Sequence, residues 1–294
     1  MLDLDIRQFF DSVPHDLLIG MVRHHTESRW VRLYVERWLT APMQMPDGTL
    51  VERGRGTPQG SPISPLLATL VLRYGFDTWM AYRWPSSPFE RYADDVVVHC
   101  DTEQRARNRW AAIANRLRAS GLELHPDKTK IVYCKDTKRR GTYEHTSFNS
   151  FGYTFRGRRV RGKYGYFVGF NPAMSGKARK AVNKKIRDRH LVRRVGTELS
   201  GLAKDINPKV RGWINYYGAS TRSELYSLAW HLDQHLTRWA MHTFKRLKGR
   251  RQAAGAWITA TSAGTRPVRP LVAAPDHPKP TCGSGMTGDC HVRF

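Results

Sequence analysis

The sequence predicts an α+β domain followed by an all-helical module. Three observations carry this. Over about the first 170 residues, short apolar runs of strand length alternate with helical stretches and call for few long parallel crossovers. Beyond Pro172 the apolar residues recur with helical period instead. The charge also changes character: residues 1–150 hold 21 Lys+Arg against 18 Asp+Glu, whereas 151–260 hold 24 against 5.

In chain order, 2–6 reads as a strand ending in Phe9-Phe10, and Pro14 opens a helix carrying Leu17, Leu18, Met21 and Val22. A helix over 29–39 stops at Pro42, and Asp47-Gly48 marks a hairpin between 43–45 and 50–51. A Gly/Pro-rich loop over 54–62 feeds a long apolar helix over 63–79. Runs at 89–92 and 96–100 flank Ala93-Asp94-Asp95 as a second hairpin. An amphipathic helix over 103–120 is broken by Gly121, before short strands at 122–124 and 129–134. A basic loop over 135–141 precedes a β-ribbon at 148–155 and 164–170. Helices are then expected over 175–195, 197–206, 209–217 and 223–247, and after about Gly255 the periodicity stops. The expected domains are therefore 1–170, 171–254 and an irregular or disordered tail over 255–294.

Composition narrows the function. The chain of 294 residues and 33.8 kDa carries a formal charge of +24, with 40% hydrophobic and 11% aromatic residues. That is enough apolar matter for a sizeable core, which excludes a wholly disordered basic tail. A membrane span needs about 18 apolar residues in a row, and none is present. Met1-Leu-Asp-Leu-Asp-Ile-Arg has acids where a secretory signal has bases. Four scattered cysteines without a CxxC suit a reducing compartment, so a cytoplasmic location is expected. A near-neutral half joined to a strongly basic, aromatic-rich one points to a polyanion partner, above all nucleic acid; a merely solvated charged face is the alternative.

Two acidic clusters sit where acids are awkward. Asp3 and Asp5 lie in an apolar strand and face one way by two-residue alternation. Asp94 and Asp95 lie at a hairpin tip before Val96-Val97-Val98. A carboxylate on a core strand is costly unless paired or bound to a cation. Strand and tip would bring Asp5 and Asp94 together around two divalent ions about 4 Å apart, the arrangement for in-line phosphoryl displacement. One ion would activate a 3′-hydroxyl nucleophile and the other would hold the triphosphate and the leaving pyrophosphate. Mg²⁺ is the expected ion, with Mn²⁺ a possible substitute. Taken singly, each cluster has a plainer reading: an Asp-Asp pair is common turn chemistry, and Asp3 suits a strand edge.

What lies between them changes the weighting. Read in order, Asp5-Ile-Arg-Gln-Phe-Phe10-Asp11, Gly56-Thr-Pro-Gln-Gly-Ser61, Tyr92-Ala-Asp-Asp95 and Gly121-Leu-Glu-Leu-His-Pro-Asp-Lys128 resemble the successive motifs of a reverse transcriptase. Asn207-Pro-Lys-Val-Arg-Gly-Trp-Ile-Asn-Tyr-Tyr-Gly218 resembles the maturase region of group II intron-encoded proteins. The resemblance runs from residue 1 to about 250.

It implies a palm of the ferredoxin-like, split βαβ kind followed by an all-helical thumb and maturase module. Asp5, Asp94 and Asp95 would be the catalytic, metal-binding acids, and Lys128 would protonate the pyrophosphate leaving group, unless it is a solvated turn lysine. Phe10 falls at the aromatic steric gate that selects deoxynucleotides, and either Phe9 or Phe10 must be core. Pro58, Gln59 and Gly60 would form the turn beneath the template–nucleotide pair, with Tyr92 beside the acids; the plainer reading of that turn is a helix entry. Phe148, Phe151 and Gly152 resemble the primer grip, although the family more often has an aromatic at Ser150 and Leu at Phe151. Lys177, Lys180, Lys184 and Lys185 would meet RNA phosphates, while Arg211, Trp213, Tyr216 and Tyr217 would stack on RNA, about half of those rings being buried.

The implied partners are the group II intron RNA, a DNA primer or target and deoxynucleoside triphosphates, with a homodimer allowed and no membrane. Relatives carry a fingers segment before the first catalytic strand and a basic, Trp-rich sequence after the last helix. The chain is therefore expected to be an N-terminally truncated copy with an aberrant C-terminus. Its expected reaction is RNA-templated addition of deoxynucleotides to a DNA 3′-end. The alternatives are a non-catalytic RNA-binding splicing factor, or a reverse transcriptase recruited to another bacterial system.

Overall fold

In the computed structural model, which describes residues 1–58 and 60–264, the strands and helices fall into two compact units dividing between Ser175 and Gly176. The first unit is built on an antiparallel sheet of β1 (Leu2–Asp5), β4 (Phe89–Tyr92), β5 (Asp95–Val98) and β6 (Lys130–Ile131), in the order β4-β5-β1-β6. Two-residue alternation puts Leu2, Leu4, Ile6, Val96 and Val98 on one face, all buried, and Asp3, Asp5 and Asp95 on the other.

Helices cover the apolar face. They are α1 (Phe9–Ser12), α2 (His15–His25), α3 (Arg29–Thr40), α4 (Ser64–Leu72), α5 (Thr78–Arg83) and α6 (Glu103–Ala119). Leu18, Leu67, Val71, Met80, Ile113 and Leu117 join the strand residues in a single core. The long helix expected over 63–79 forms, with one irregularity: α4 runs into α5 through a π-helical turn over Arg73–Asp77, where the Thr78 amide reaches back to the Arg73 carbonyl. The hairpin β2 (Met43–Gln44)–β3 (Leu50–Val51) stands where Asp47-Gly48 predicts it, with Gly48 at φ +87°.

Three local expectations change. Phe9 and Phe10 do not extend the strand, because Gln8 turns left-handed (φ 45°) and starts the short α1. No strand forms over 122–124; Leu124 makes an isolated bridge to Ile6, and the Glu123 carbonyl accepts from the Arg7 amide. The third is the strand over 129–134, which shortens to β6. A three-stranded ribbon follows, of β7 (Ser147–Ser150), β8 (Tyr153–Gly162) and β9 (Gly165–Met174). Phe148 anchors its base, stacked on Phe155 at 4.6 Å.

The second unit contains α7 (Gly176–Arg187), α8 (Leu199–Tyr217), α9 (Tyr226–Thr243) and α10 (Arg251–Gly264). Pro208 does not divide α8 in two as expected. The buried stripe Leu202, Ile206 and Val210 continues across it, and that packing outweighs the lost backbone hydrogen bond. The expected irregular tail over 255–294 is corrected over its first ten residues, which belong to α10. Ala254 and Ile258 are buried, and the Trp257 ring meets Phe244 at 4.7 Å, giving that segment a core to pack on. The rest of that stretch lies outside the described residues. Among the described residues, no helix is long and apolar enough to cross a membrane.

Candidate active site

Two antiparallel strands carry the acids. β1 pairs with β5 in the register Leu2↔Val98 to Asp5↔Asp95, so Asp5 and Asp95 are direct cross-strand neighbours. Side chains so placed stand about 5 Å apart at Cβ, and like charges there repel. Asp94 is the adjacent residue of the hairpin tip, half-buried. The Asp95 carboxyl is pushed above the usual carboxylate value by lost hydration, then by Asp94 and Asp5, against the pull of Lys128. Asp3 is pushed up to about 6, by burial first and by Asp95 and Asp5 after it, although Lys130 lies 3.7 Å away. The Lys128 ammonium bridges both Asp5 oxygens at 3.2 Å. Three predicted site residues, Asp5, Asp95 and Lys128, are thus gathered at one end of the two central strands, with Asp94 next to Asp95 in the chain.

The tip itself is held by a residue that motif reading passes over. Ala93 sits at φ 51°, a left-handed conformation costing a non-glycine residue about 1 kcal/mol. Arg91, almost buried, donates to the Ala93 carbonyl at 3.2 Å and grips Asp77 with two bonds, Nε to Oδ1 at 2.6 Å and a second to Oδ2 at 2.5 Å. The signal for Asp77 was present in the sequence: the one carboxylate in a largely apolar helical stretch over 63–79.

The Gly/Pro loop is stitched to the turn bearing Phe10. The Gly56 amide donates to Val13 O at 2.7 Å, the Thr57 amide to Phe10 O at 2.6 Å, and the His15 ring bonds Gly56 O at 2.7 Å. Gly56 has φ +79°, and a Cβ there would stand 2.7 Å from the Asp11 Cα, so only glycine allows this approach. Phe9 is buried and Phe10 half-buried, so the core claims Phe9 and leaves Phe10 partly free. Pro58 is half-buried; Gly60 turns at φ +86° with open space around it; Gln59 lies outside the described residues.

The turn joining β7 to β8 reaches the same hairpin. Phe151 (φ 51°) and Gly152 (φ 77°) form a two-residue left-handed turn, and the Phe151 ring meets Tyr92 edge-on at 4.9 Å. Phe148 instead points into the ribbon's base and is buried.

In the second unit, Lys177, Lys180, Lys184 and Lys185 are all exposed on α7, whose apolar side buries Val182 and Ile186. On α8, Arg211 and Tyr216 are exposed while Trp213 and Tyr217 are half-buried. Trp213 lines a crevice with Ile186, Leu191, Ile206 and Leu232, which makes it largely a packing residue. Tyr217 meets Tyr216 edge-on at 4.8 Å, and burial pushes its hydroxyl pKa up.

Among the described residues, no group of three His, Cys, Asp or Glu side chains forms a ready metal cage. The donor chemistry still fits a hard divalent ion. Three carboxylates share one end of the two central strands, two of them in cross-strand register, and their crowding adds to lost hydration in raising Asp95. Mg²⁺ takes one or two carboxylates and completes its shell with water and substrate phosphates, so an all-protein cage is not required.

The paired carboxylates at the end of the two central strands form a donor set suited to a hard divalent cation. The model of the reverse transcriptase (RNA-dependent DNA polymerase) family matches residues 1–155, more than half of the chain, and the protein belongs to that family. Residues 179–257 match the model of the group II intron, maturase-specific domain. No curated protein matches it. Among solved structures it is similar to apo telomerase from Candida tropicalis, at 9% identity and TM-score 0.47, covering 88% of this chain and 43% of that one. Telomerase from Candida albicans with a TWJ fragment of telomeric RNA gives 11% and 0.44, covering 90% and 47%. The foamy viral protease-reverse transcriptase with an RNA/DNA hybrid gives 13% and 0.37, covering 64% and 20%. The chain spans less than half the length of each.

Proposed function

We propose that the chain polymerises deoxynucleotides on an RNA template and also binds its group II intron RNA to assist splicing. In this reading, residues 1–170 are a palm with partial fingers and a primer-grip ribbon, and 171–254 a helical thumb and maturase module. The observation that carries it is the register placing Asp5 opposite Asp95, with Asp94 adjacent, on the open face of a sheet whose other face is core.

Asp5, Asp94 and Asp95 would hold two Mg²⁺ ions, which supply a nucleophile at neutral pH and neutralise charge on the triphosphate. The protein's own residues do the rest. Lys128, already on Asp5, stands ready to give a proton to the departing pyrophosphate. Phe10 would lie beneath the sugar of the incoming nucleotide, rejecting a 2′-hydroxyl by contact. Pro58, Gln59 and Gly60 would support the nascent base pair. Phe151, Gly152 and Tyr92 would set the primer end, and the α7 lysines with Arg211 and Tyr216 would grip RNA.

The second reading is RNA binding without polymerisation. Primer extension on an RNA template separates the two. The chain is expected to add deoxynucleotides with Mg²⁺, and Asp94→Ala to abolish extension while keeping RNA affinity. Extension that survives Asp94→Ala would remove the metal assignment.

A further inference from the structure

The far end of the ribbon has no part in the site described above. β8 and β9 form a ten-pair ladder closing at Gly162↔Gly165, so this tip lies about 30 Å along β8 from the Phe151–Gly152 turn. It presents Tyr164, Tyr166 and Phe167 to solvent, exposed by 93%, 63% and 46%. Single exposed rings are ordinary; three within four residues need an account.

Their neighbours supply one. The ribbon carries Arg156, Arg158, Arg159, Arg161 and Lys163, and no acid occurs anywhere between 145 and 187. The register pairs Arg161 with Tyr166 and Arg159 with Val168, which places both arginines on the face of Tyr166. The Arg159 guanidinium stands over the Tyr166 ring at 4.3 Å, and the Lys163 ammonium over Tyr164 at 5.4 Å. Each tyrosine thus has a cation against one side of its ring while most of its surface remains in water. Such a ring offers a base a flat partner, and the cation beside it offers a phosphate its counter-charge.

We infer that the β8–β9 tip is a second nucleic-acid contact, binding an unpaired polynucleotide segment by stacking on Tyr164 and Tyr166 and by phosphate contacts to Arg159, Arg161 and Lys163. Paired bases hide their flat faces, so the surface selects single strands. The inference rests on the reading of the chain as a nucleic-acid enzyme. It adds a site some 30 Å along the ribbon from the turn proposed to hold the primer end.

The test uses the whole chain with labelled 16-nucleotide oligouridylate, oligothymidylate and a blunt hairpin duplex, measuring anisotropy across a salt series. Tyr164→Ala with Tyr166→Ala is expected to weaken both single strands about tenfold or more and to leave the salt slope unchanged, because stacking is not ionic. Tyr164→Phe with Tyr166→Phe should bind within twofold of the wild type. Arg159→Gln with Arg161→Gln should flatten the salt slope by about 0.7 for each lost contact. Loss confined to the uridylate, or to the thymidylate, would identify RNA or DNA as the occupant. Single-strand binding within twofold of wild type in the alanine pair, or an equal loss on the duplex, overturns the inference. Primer extension, and RNA binding lost on Lys180→Gln with Lys184→Gln, would then still leave the main reading standing. A wild-type chain that binds none of the three probes overturns both.

Discussion

Arg91 and Asp77, 14 residues apart, meet in a two-pronged ion pair at 2.5–2.6 Å, and the same guanidinium holds the carbonyl of left-handed Ala93. Asp77 comes from the π-helical turn, Arg91 from the strand leading into the hairpin tip that carries Asp94 and Asp95. Breaking a pair this sheltered from one side typically costs about 3–5 kcal/mol. Arg91→Met should therefore lower unfolding free energy by about 3 kcal/mol in a denaturant titration. Arg91→Lys keeps the charge but not the fork. It should cost about 1 kcal/mol of stability yet slow primer extension by roughly a hundredfold, since a displaced tip misaligns the acids. Extension within twofold of wild type in Arg91→Lys would show that the tip holds its shape unaided.

Lys128 separates chemistry from stability. Its side chain is 59% exposed, so its pair with Asp5 contributes little to the fold. Lys128→Gln should shift thermal unfolding negligibly while slowing single-nucleotide addition by about a hundredfold. A rate unchanged within threefold would make Lys128 a surface lysine.

The stitched loop gives a backbone test. Gly56→Ala meets both a left-handed φ and the Asp11 backbone, whereas Gly60→Ala meets only the φ. Gly56→Ala should cost at least about 2 kcal/mol and Gly60→Ala about 1 kcal/mol. Calorimetry of the two variants would reject the stitched loop if the order were reversed.

The second unit carries a pH dependence of defined sign. His231 and His235 stand 4.8 Å apart on α9. Burial pushes both pKa values below the ordinary histidine value, with Arg187 and Arg238 adding to it in each case. The folded pair therefore takes up protons at lower pH than the unfolded chain, whose histidines titrate near the ordinary value of about 6.5. Stability is therefore full above about pH 7 and declines as pH falls below about 6.5. His231→Gln with His235→Gln should lose less stability between pH 7 and 5 than wild type. Equal declines in urea titrations would exclude the pair as the cause.

Much of the acidic rim of the four-stranded sheet was legible because it depends on local alternation. Leu2, Leu4 and Ile6 interleaved with Asp3 and Asp5 allow one burial pattern, and Tyr92-Ala-Asp-Asp95 needs a turn. What escaped depended on partners distant in sequence. Nothing local shows that Asp77 is turned toward Arg91, that Gln8 bends the chain so Phe9 is buried while Phe10 is half-buried, or that α8 passes through Pro208. Each is decided by a tertiary contact that outweighs the local preference. The exposed rings at the ribbon tip were visible as letters, but their open faces are visible only in three dimensions.

Because alternate residues of β1 serve the hydrophobic interior and the acidic rim, interior and rim share one reading frame. Exchanging a single amino acid there alters one or the other. Deleting or inserting one codon inside this strand would reverse the faces of the residues on one side of the change, sending a leucine outward and driving an aspartate into the oil. Length variation in this gene should accordingly collect in its loops and spare the four residues that begin the sheet.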